Sequence, residues 1–232
     1  MKKANMPEKL IIIAGHYGSG KTNVAVNLAL KLKNNGSAVT IIDIDTVNPY
    51  FRTADSVKLL NDMGIRCIIP KFANTNVDIP SLPAEIYSTF DLGENEYSVY
   101  DAGGDDDGAA VLGMYGEYFE KYGYEMWCVC NMYRPLTGDP QCAADLIRDI
   151  EKRSGLKCTG IINNSNLSYE TTDEIFKNSF GYINKIKELT NLPIIFHSAF
   201  NNILSADNEI FHMQNATKNL YGGNNDEQSD IQ

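Results

Sequence analysis

Short apolar segments alternate with longer amphipathic ones along most of the chain. The first apolar segment, Leu10–Ala14, contains no polar residue, which is typical of a central strand in a parallel sheet because both faces of such a strand are buried. A helical pattern follows it at residues 21–33, with Gly36 as a stop signal. This alternation indicates βαβ units. We therefore expect an α/β fold with three layers, in which a mostly parallel β-sheet carries helices on both faces.

The same pattern predicts further elements downstream. Two helices have their own start signals: Asp139 precedes Pro140, and Thr171 with Glu174 three residues later forms a capping box. We assign His212 to a late helix. The remaining strands are predicted at residues 38–42, 66–69, 97–100, 126–130, 159–162 and 193–196.

The composition is that of a folded, acidic protein. The chain has 232 residues, of which 43% are hydrophobic, and 20 Lys and Arg against 30 Asp and Glu give a net charge of −10. That length suits one domain, which we place at residues 1–221, and the polar and acidic residues 222–232 are predicted to be a disordered tail. Because sequence-independent binding to nucleic acid depends on many Lys and Arg, the acidic excess argues against a nucleic-acid partner.

The sequence predicts neither a transmembrane segment nor a cleavable signal peptide. No apolar run approaches the roughly 20 residues that cross a bilayer, and the basic start of the chain is followed by a predicted strand rather than by a cleavage site. We therefore predict a cytoplasmic protein without membrane contact. The five cysteines form no C-x-x-C pair, which favours buried free thiols over a metal site.

A glycine-rich segment follows the first strand and opens the first helix. It reads Gly-His-Tyr-Gly-Ser-Gly-Lys-Thr and matches G-x-x-x-x-G-K-[ST] in full, in the structural context that this phosphate-binding motif requires. Glycines let the backbone wrap around phosphates, Lys21 neutralises the β and γ phosphates, and the Thr22 hydroxyl is a suitable ligand for Mg²⁺. The predicted phosphate-binding residues are Gly15, His16, Tyr17, Gly18, Ser19, Gly20, Lys21, Thr22 and Asn23.

Carboxylates follow two of the predicted strands. Asp43 and Asp45 come at the end of the second strand and share a face, so both can point at Mg²⁺ and the γ-phosphate, unless Asp43 caps a turn and Asp45 is solvated. Asp101 and Gly104 form a D-x-x-G pattern, in which the Asp holds Mg²⁺ through water and the Gly amide reaches the γ-phosphate. Residues 105–107, all Asp, belong either to a switch loop or to a solvated turn.

Together these motifs resemble the SIMIBI class of P-loop nucleotide hydrolases, specifically the CobQ/CobB/MinD/ParA-like family. The resemblance implies a seven- or eight-stranded sheet, ATP with Mg²⁺, and often a nucleotide-dependent homodimer. It also implies that Asp45 positions or activates the attacking water, and that Asp43 and Asp101 are outer-shell partners of Mg²⁺. Asn163 is the first candidate for contact with adenine and Asn164 the second, although two Asn opening a polar loop is an equally good interpretation. The lack of an N-K-x-D motif there favours ATP over GTP.

One position departs from the family pattern. MinD and ParA relatives carry a signature Lys where this chain has His16, whose shorter and mostly neutral imidazole cannot replace that cation. Arg52 is a candidate substitute, although its segment is equally suited to packing a loop. Arg134 is a candidate contact at the nucleotide or partner edge, with a salt bridge inside its loop as the alternative.

The main functional prediction is a Mg²⁺-dependent ATPase that acts as a nucleotide-controlled switch on an unidentified protein partner, with Lys21 and Asp45 as catalytic residues. One alternative is a ligase or kinase of a small carboxylate metabolite, similar to the cobyrinate and dethiobiotin synthetase branches of the family. That activity needs an acceptor pocket with cations, for which Lys71, Arg52 and Arg134 are the candidates. The other alternative is a nucleotide sensor without turnover, because His16 has replaced the activating Lys.

Overall fold

One eight-stranded sheet organises the protein. The computed structural model describes residues 8–44, 54–69, 84–104, 106–167, 170–200 and 210–214, without the side chains of residues 54–56, 106 and 107. In chain order the strands are β1 (Leu10–Ala14), β2 (Ala38–Asp43), β3 (Arg66–Ile68), β4 (Glu96–Asp101), β5 (Glu125–Cys130), β6 (Gly160–Asn163), β7 (Ile194–Phe200) and β8 (Ile210–Met213). They lie in the order β3-β2-β4-β1-β5-β6-β7-β8, and every neighbouring pair is parallel.

Helices connect most of these strands. They are α1 (Lys21–Asn34), α2 (Ala54–Asp62), α3 (Asp106–Met114), α4 (Gly116–Tyr122), α5 (Pro140–Ser154) and α6 (Asp173–Thr190), together with a 3₁₀ helix at Ala84–Thr89. The predicted start of α5 is confirmed, because the Asp139 carboxylate accepts hydrogen bonds from the amides of Gln141 at 2.8 Å and Cys142 at 3.1 Å. Gly155 ends this helix in the left-handed conformation, which a glycine adopts without strain.

The hydrophobic core lies on both faces of the sheet. Along β1, Leu10 and Ile12 point into one apolar cluster, and Ile11 and Ile13 into the other, and all four are buried. The first cluster includes residues of α3, α4, α5 and α6, and the second includes residues of α1 and α2. The predicted three-layer α/β/α arrangement is therefore confirmed.

Two local predictions were wrong. His212 belongs to strand β8 rather than to a late helix, and Phe211 and Met213 on either side of it both pack into the cluster that contains α1. This two-residue spacing of buried side chains is that of a strand. The cap of α6 is Thr172, whose hydroxyl accepts a hydrogen bond from the Ile175 amide at 3.3 Å. Thr171, the predicted cap, instead accepts from the Leu167 amide at 2.8 Å.

The carboxyl ends of β1, β2 and β4 meet at one edge of the sheet. β4 lies between β2 and β1, and Asp43 at the end of β2 is paired in register with Asp101 at the end of β4. Because ligands of open α/β sheets bind at the carboxyl ends of the strands, this edge is where a site is expected. Residues 222–232 lie outside the described residues, so the division into a domain and a tail stays a prediction. Within the described ranges, no helix is both long and apolar enough to cross a membrane.

Candidate phosphate-binding site

The loop between β1 and α1 packs closely against the strands around it. Gly15, Gly18 and Gly20 all have positive φ, of 142°, 75° and 91°. A Cβ atom at Gly15 would lie 2.6 Å from the Val129 carbonyl oxygen in β5, and one at Gly20 would lie 2.3 Å from Nδ2 of Asn164. Glycine is therefore required at both positions by conformation as well as by space.

The loop ends at the amino terminus of α1, where backbone N–H groups are not bonded within the helix. The first turn of this 14-residue helix contains no acidic residue, and Gly20 supplies no side-chain cap. The positive end of the helix dipole is therefore left for an anion. Lys21, the first residue of the helix, is only 6% exposed, so its charge lies at the loop rather than in bulk solvent.

The predicted metal-binding residues lie together beside the loop. The Thr22 hydroxyl donates a hydrogen bond of 2.6 Å to the Asp101 carboxylate. Asp101 and its neighbour Asp43 are 1% and 0% exposed, and such burial of two carboxylates is stabilised by cationic or hydrogen-bonding partners. The set offers hard oxygen donors only, which suits Mg²⁺. The described residues hold no group of three or more His, Cys, Asp or Glu arranged for a metal ion, so oxygens of a bound phosphate would have to complete the coordination.

Gly104 at the end of the D-x-x-G segment touches the phosphate loop directly. A Cβ atom at Gly104 would lie 1.8 Å from the Gly15 carbonyl oxygen and 2.9 Å from the His16 amide nitrogen. Gly104 is buried. The segment that follows β4 is thus in backbone contact with the loop that follows β1.

The two asparagines after β6 are used inside the protein. Asn163 is fully buried, and its amide donates to the Ser179 hydroxyl at 2.8 Å and contacts Nδ1 of His197 at 3.0 Å. Asn164 donates to the Ser19 carbonyl oxygen at 2.6 Å and accepts from the Ser198 hydroxyl at 2.7 Å. Asn164 therefore ties the phosphate loop to β7. These contacts give both residues a structural role, and their contact with adenine stays a prediction.

The other predicted phosphate-binding residues differ in exposure. Tyr17 is 66% exposed, whereas Asn23 is buried and its side-chain oxygen accepts from Asn27 at 3.2 Å in α1. His16 is half-buried. Ser19 is 1% exposed, and its hydroxyl has no hydrogen-bond partner among the residues that the structure describes. A buried hydroxyl without a partner costs free energy, and a bound phosphate oxygen would satisfy it. The sequence motif does not single out this hydroxyl.

Some of the candidates predicted from the sequence lie outside the described residues, namely Asp45, Arg52, Lys71 and Asp105. The side chains of Asp106 and Asp107 are not described either. Arg134 is described, and its side chain lies across the loop at Gly18: a Cβ atom there would be 3.6 Å from the Arg134 Nε. No motif connects these two residues in the sequence.

Three of the cysteines are buried in the core. All cysteines are free, and Cys128, Cys130 and Cys158 are buried. The pKa of Cys128 is raised well above its usual value by its hydrogen bond with Cys130 and by burial, although the Lys21 charge opposes the rise. Burial also raises the pKa of Cys158. The thiols of Cys128 and Cys158 therefore stay neutral at physiological pH. The prediction of buried free thiols is confirmed for Cys128, Cys130 and Cys158, whereas Cys67 is half-buried and Cys142 is exposed, so for Cys142 it was wrong.

Comparison with known proteins agrees with this geometry. A model of the ParA family, described as NUBPL iron-transfer P-loop NTPase, matches residues 5–82. This segment contains the phosphate loop and the end of β2. The match covers about a third of the chain, and the parallel sheet with the glycine loop after its first strand is the fold of a P-loop NTPase. A search of curated proteins found no match.

Solved structures share the fold of this chain at low sequence identity. FtsY from Mycoplasma mycoides is 20% identical with a TM-score of 0.51, and the match covers 84% of this chain and 62% of that one. The cell division protein FtsY from Thermotoga maritima is 18% identical with a TM-score of 0.52, over 93% of this chain and 68% of that one. The signal recognition particle receptor FtsY from Elizabethkingia anophelis, in complex with GDP, is 16% identical with a TM-score of 0.53. This match covers 95% of this chain and 64% of that one. The chain thus spans roughly two thirds of the length of these proteins.

Proposed function

We propose that the protein binds ATP together with Mg²⁺, hydrolyses it, and acts as a nucleotide-controlled switch on a protein partner. The observation that carries this proposal is the joint placement of the glycine loop, the buried Lys21 and the bonded pair Thr22–Asp101 at one sheet edge. Phosphoryl transfer to water depends on positioning and charge neutralisation more than on covalent chemistry. A lysine, an anion-binding helix terminus and carboxylates are suited to that task.

Each part of the site has a proposed role. The loop amides and Lys21 bind the β and γ phosphates. The Ser19 hydroxyl donates a hydrogen bond to an oxygen of the same phosphates. Thr22, Asp43 and Asp101 would hold Mg²⁺, which when bound neutralises charge that develops on the phosphate oxygens. Asp45 is proposed to orient the attacking water.

The proposed switch rests on the contact between Gly104 and the phosphate loop. Because the two backbones touch, a γ-phosphate held in the loop is proposed to accept a hydrogen bond from the Gly104 amide, and loss of the γ-phosphate would remove that bond. Such a two-state element is what couples a nucleotide to a partner. A nucleotide-dependent homodimer is part of this proposal.

ATP is proposed as the nucleotide because residues 163–166, Asn-Asn-Ser-Asn, lack the guanine-reading N-K-x-D pattern. The GDP found in one FtsY structure makes GTP the competing candidate. ATP and GTP therefore have to be compared in parallel, by calorimetry for binding and by phosphate release for turnover. Light scattering on the same samples measures nucleotide-dependent dimerisation.

The decisive variant is Lys21→Ala. Because a hydrogen bond to a charged group contributes about 1.5–3 kcal/mol, we expect nucleotide affinity to fall at least about tenfold to a hundredfold, and phosphate release to be abolished. Lys177→Ala is the matched control, since Lys177 is exposed on α6 and its loss should leave both unchanged. Wild-type turnover in Lys21→Ala would contradict the proposed site. Turnover only in the presence of a carboxylate metabolite would instead favour the ligase or kinase.

A further inference from the structure

The side chain of Arg134 is placed at the phosphate loop by a segment distant in sequence. If Gly18 carried a Cβ atom, it would lie 3.6 Å from Nε and 3.8 Å from Cδ and Cζ of Arg134. An added Cβ atom would thus be in ordinary van der Waals contact with Arg134, so the Arg134 side chain lies beside Gly18 at the distance of one methyl group. Because Gly18 has no side chain, no Gly18 atom other than its backbone lies between the loop and the guanidinium.

The segment that carries Arg134 is held by its own hydrogen bonds. The Arg134 amide donates to the Asn131 carbonyl oxygen at 3.3 Å, and the Thr137 amide donates to the Arg134 carbonyl oxygen at 3.1 Å. The Thr137 hydroxyl donates to Asn131 at 3.1 Å, and the Tyr133 hydroxyl donates to the Ile175 carbonyl oxygen at 2.7 Å. The backbone at Arg134 is therefore fixed to β5 and to α6, which limits the conformational entropy lost when its side chain binds a ligand.

The guanidinium is available for an anionic ligand. Arg134 is exposed, and among the described residues no carboxylate or carbonyl oxygen is bonded to its side chain. The alternative of a salt bridge inside its own loop is therefore not realised there. Lys21 is the only Lys or Arg in residues 15–22, so even with Mg²⁺ bound part of a triphosphate's charge remains uncompensated. A planar guanidinium presents two parallel N–H groups to a phosphate in a fixed fork, a geometry that the lysine ammonium lacks.

We propose that Arg134 binds the terminal phosphates of the nucleotide held in the loop, from the same chain and without help from a second subunit. This inference rests on the proposed nucleotide binding and adds a second cation to it. The flexible side chain moves from its contact with Gly18 to the phosphate oxygens, while the segment that carries it stays in place.

The test compares Arg134→Ala and Arg134→Lys with the wild-type protein by calorimetry, using ATP, AMP and inorganic tripolyphosphate as probes. Arg134→Ala should weaken ATP and tripolyphosphate about tenfold to a hundredfold, the loss expected for a charge-assisted hydrogen bond. Arg134→Lys should recover part of that loss, and AMP affinity should not change. Arg66→Ala is the control, because Arg66 is exposed at the opposite end of the parallel sheet and, within the described part of the chain, its side chain bonds only to the Ser88 hydroxyl, at 3.3 Å.

The outcomes separate this inference from the function on which it rests. If Arg134→Ala binds ATP as tightly as the wild type while Lys21→Ala does not bind it, the role of Arg134 is refuted and nucleotide binding stands. An equal loss in Arg66→Ala would also refute it, because the effect would then be one of net charge. If the wild-type protein binds neither ATP, GTP nor tripolyphosphate, the proposed function fails and the role of Arg134 with it. An unchanged thermal midpoint in Arg134→Ala would show that the loss is not one of folding.

Discussion

Replacing Gly104 by alanine tests whether the backbone contact between the end of β4 and the phosphate loop is needed for activity. The added Cβ atom would lie 1.8 Å from the Gly15 carbonyl oxygen, whereas real Cβ atoms essentially never come closer than 3.0 Å, so the two backbones must separate by about 1.2 Å. Neither side can yield by a simple rotamer change, because both are main chain. Overpacking of this kind costs typically about 1–3 kcal/mol of folding free energy. A misplacement of about 1 Å lowers catalytic rates by about a hundredfold.

We therefore expect Gly104→Ala to lower the thermal midpoint by roughly 2–12 °C, using about 2–4 °C per kcal/mol for a chain of this size. Phosphate release should fall by about a hundredfold. The control is Gly181→Ala: Gly181 is exposed within α6 and a Cβ atom there meets nothing within 4 Å, so the greater helix propensity of alanine should stabilise the protein by about 0.5–1 kcal/mol. Calorimetric unfolding and a phosphate-release assay measure both effects. If Gly104→Ala matched the wild type in midpoint and rate, the described contact would be refuted.

Two further predictions concern stability. Thr172→Ala removes the hydroxyl that caps α6, so the free energy of unfolding in urea should fall by about 0.5–2 kcal/mol with an unchanged m-value; an unchanged urea midpoint would refute the cap. Burial raises the pKa of Cys67 from 9.0 to about 12. The folded state holds the Cys67 proton more tightly than the unfolded state. The contribution of this thiol to the free energy of unfolding is therefore complete below pH 9 and is lost as the pH rises toward about 12. Urea unfolding at pH 8 and pH 11 should therefore show a smaller decline in Cys67→Ala than in the wild type, and an equal decline would contradict this assignment.

Most strands could be predicted because both of their faces are buried. In β1, for example, an uninterrupted apolar run was sufficient. Strand β8 was missed because its four residues, Ile-Phe-His-Met, include the exposed His212 and are too few to distinguish a strand from part of a helix. The cap of α6 was misplaced by one residue because Thr171 and Thr172 are both chemically able to cap, and only the backbone course decides between them.

The site was predictable only where it is local in sequence. The phosphate loop is contiguous, and the contact of Thr22 with Asp101 follows from two strand ends that meet at one edge of the sheet. The hydrogen bond from Asn164 to Ser19 joins residues 145 positions apart, and no spacing rule predicts it. The approach of Arg134 to Gly18 likewise depends on how the segment after β5 is wound.

The strand order has a consequence for the growing chain on the ribosome. Strand β1 has no neighbour close to it in sequence, since Leu10 pairs with Ser98 and Ile11 with Glu125. At about 5–20 residues per second, roughly 6–23 s pass between synthesis of β1 and that of its second neighbour. Both hydrogen-bonding edges of an entirely apolar strand stay unsatisfied until these neighbours form, which favours aggregation or binding by a chaperone. The phosphate loop contacts Val129 and Asn164, so its conformation depends on residues that are synthesised up to 145 positions after it.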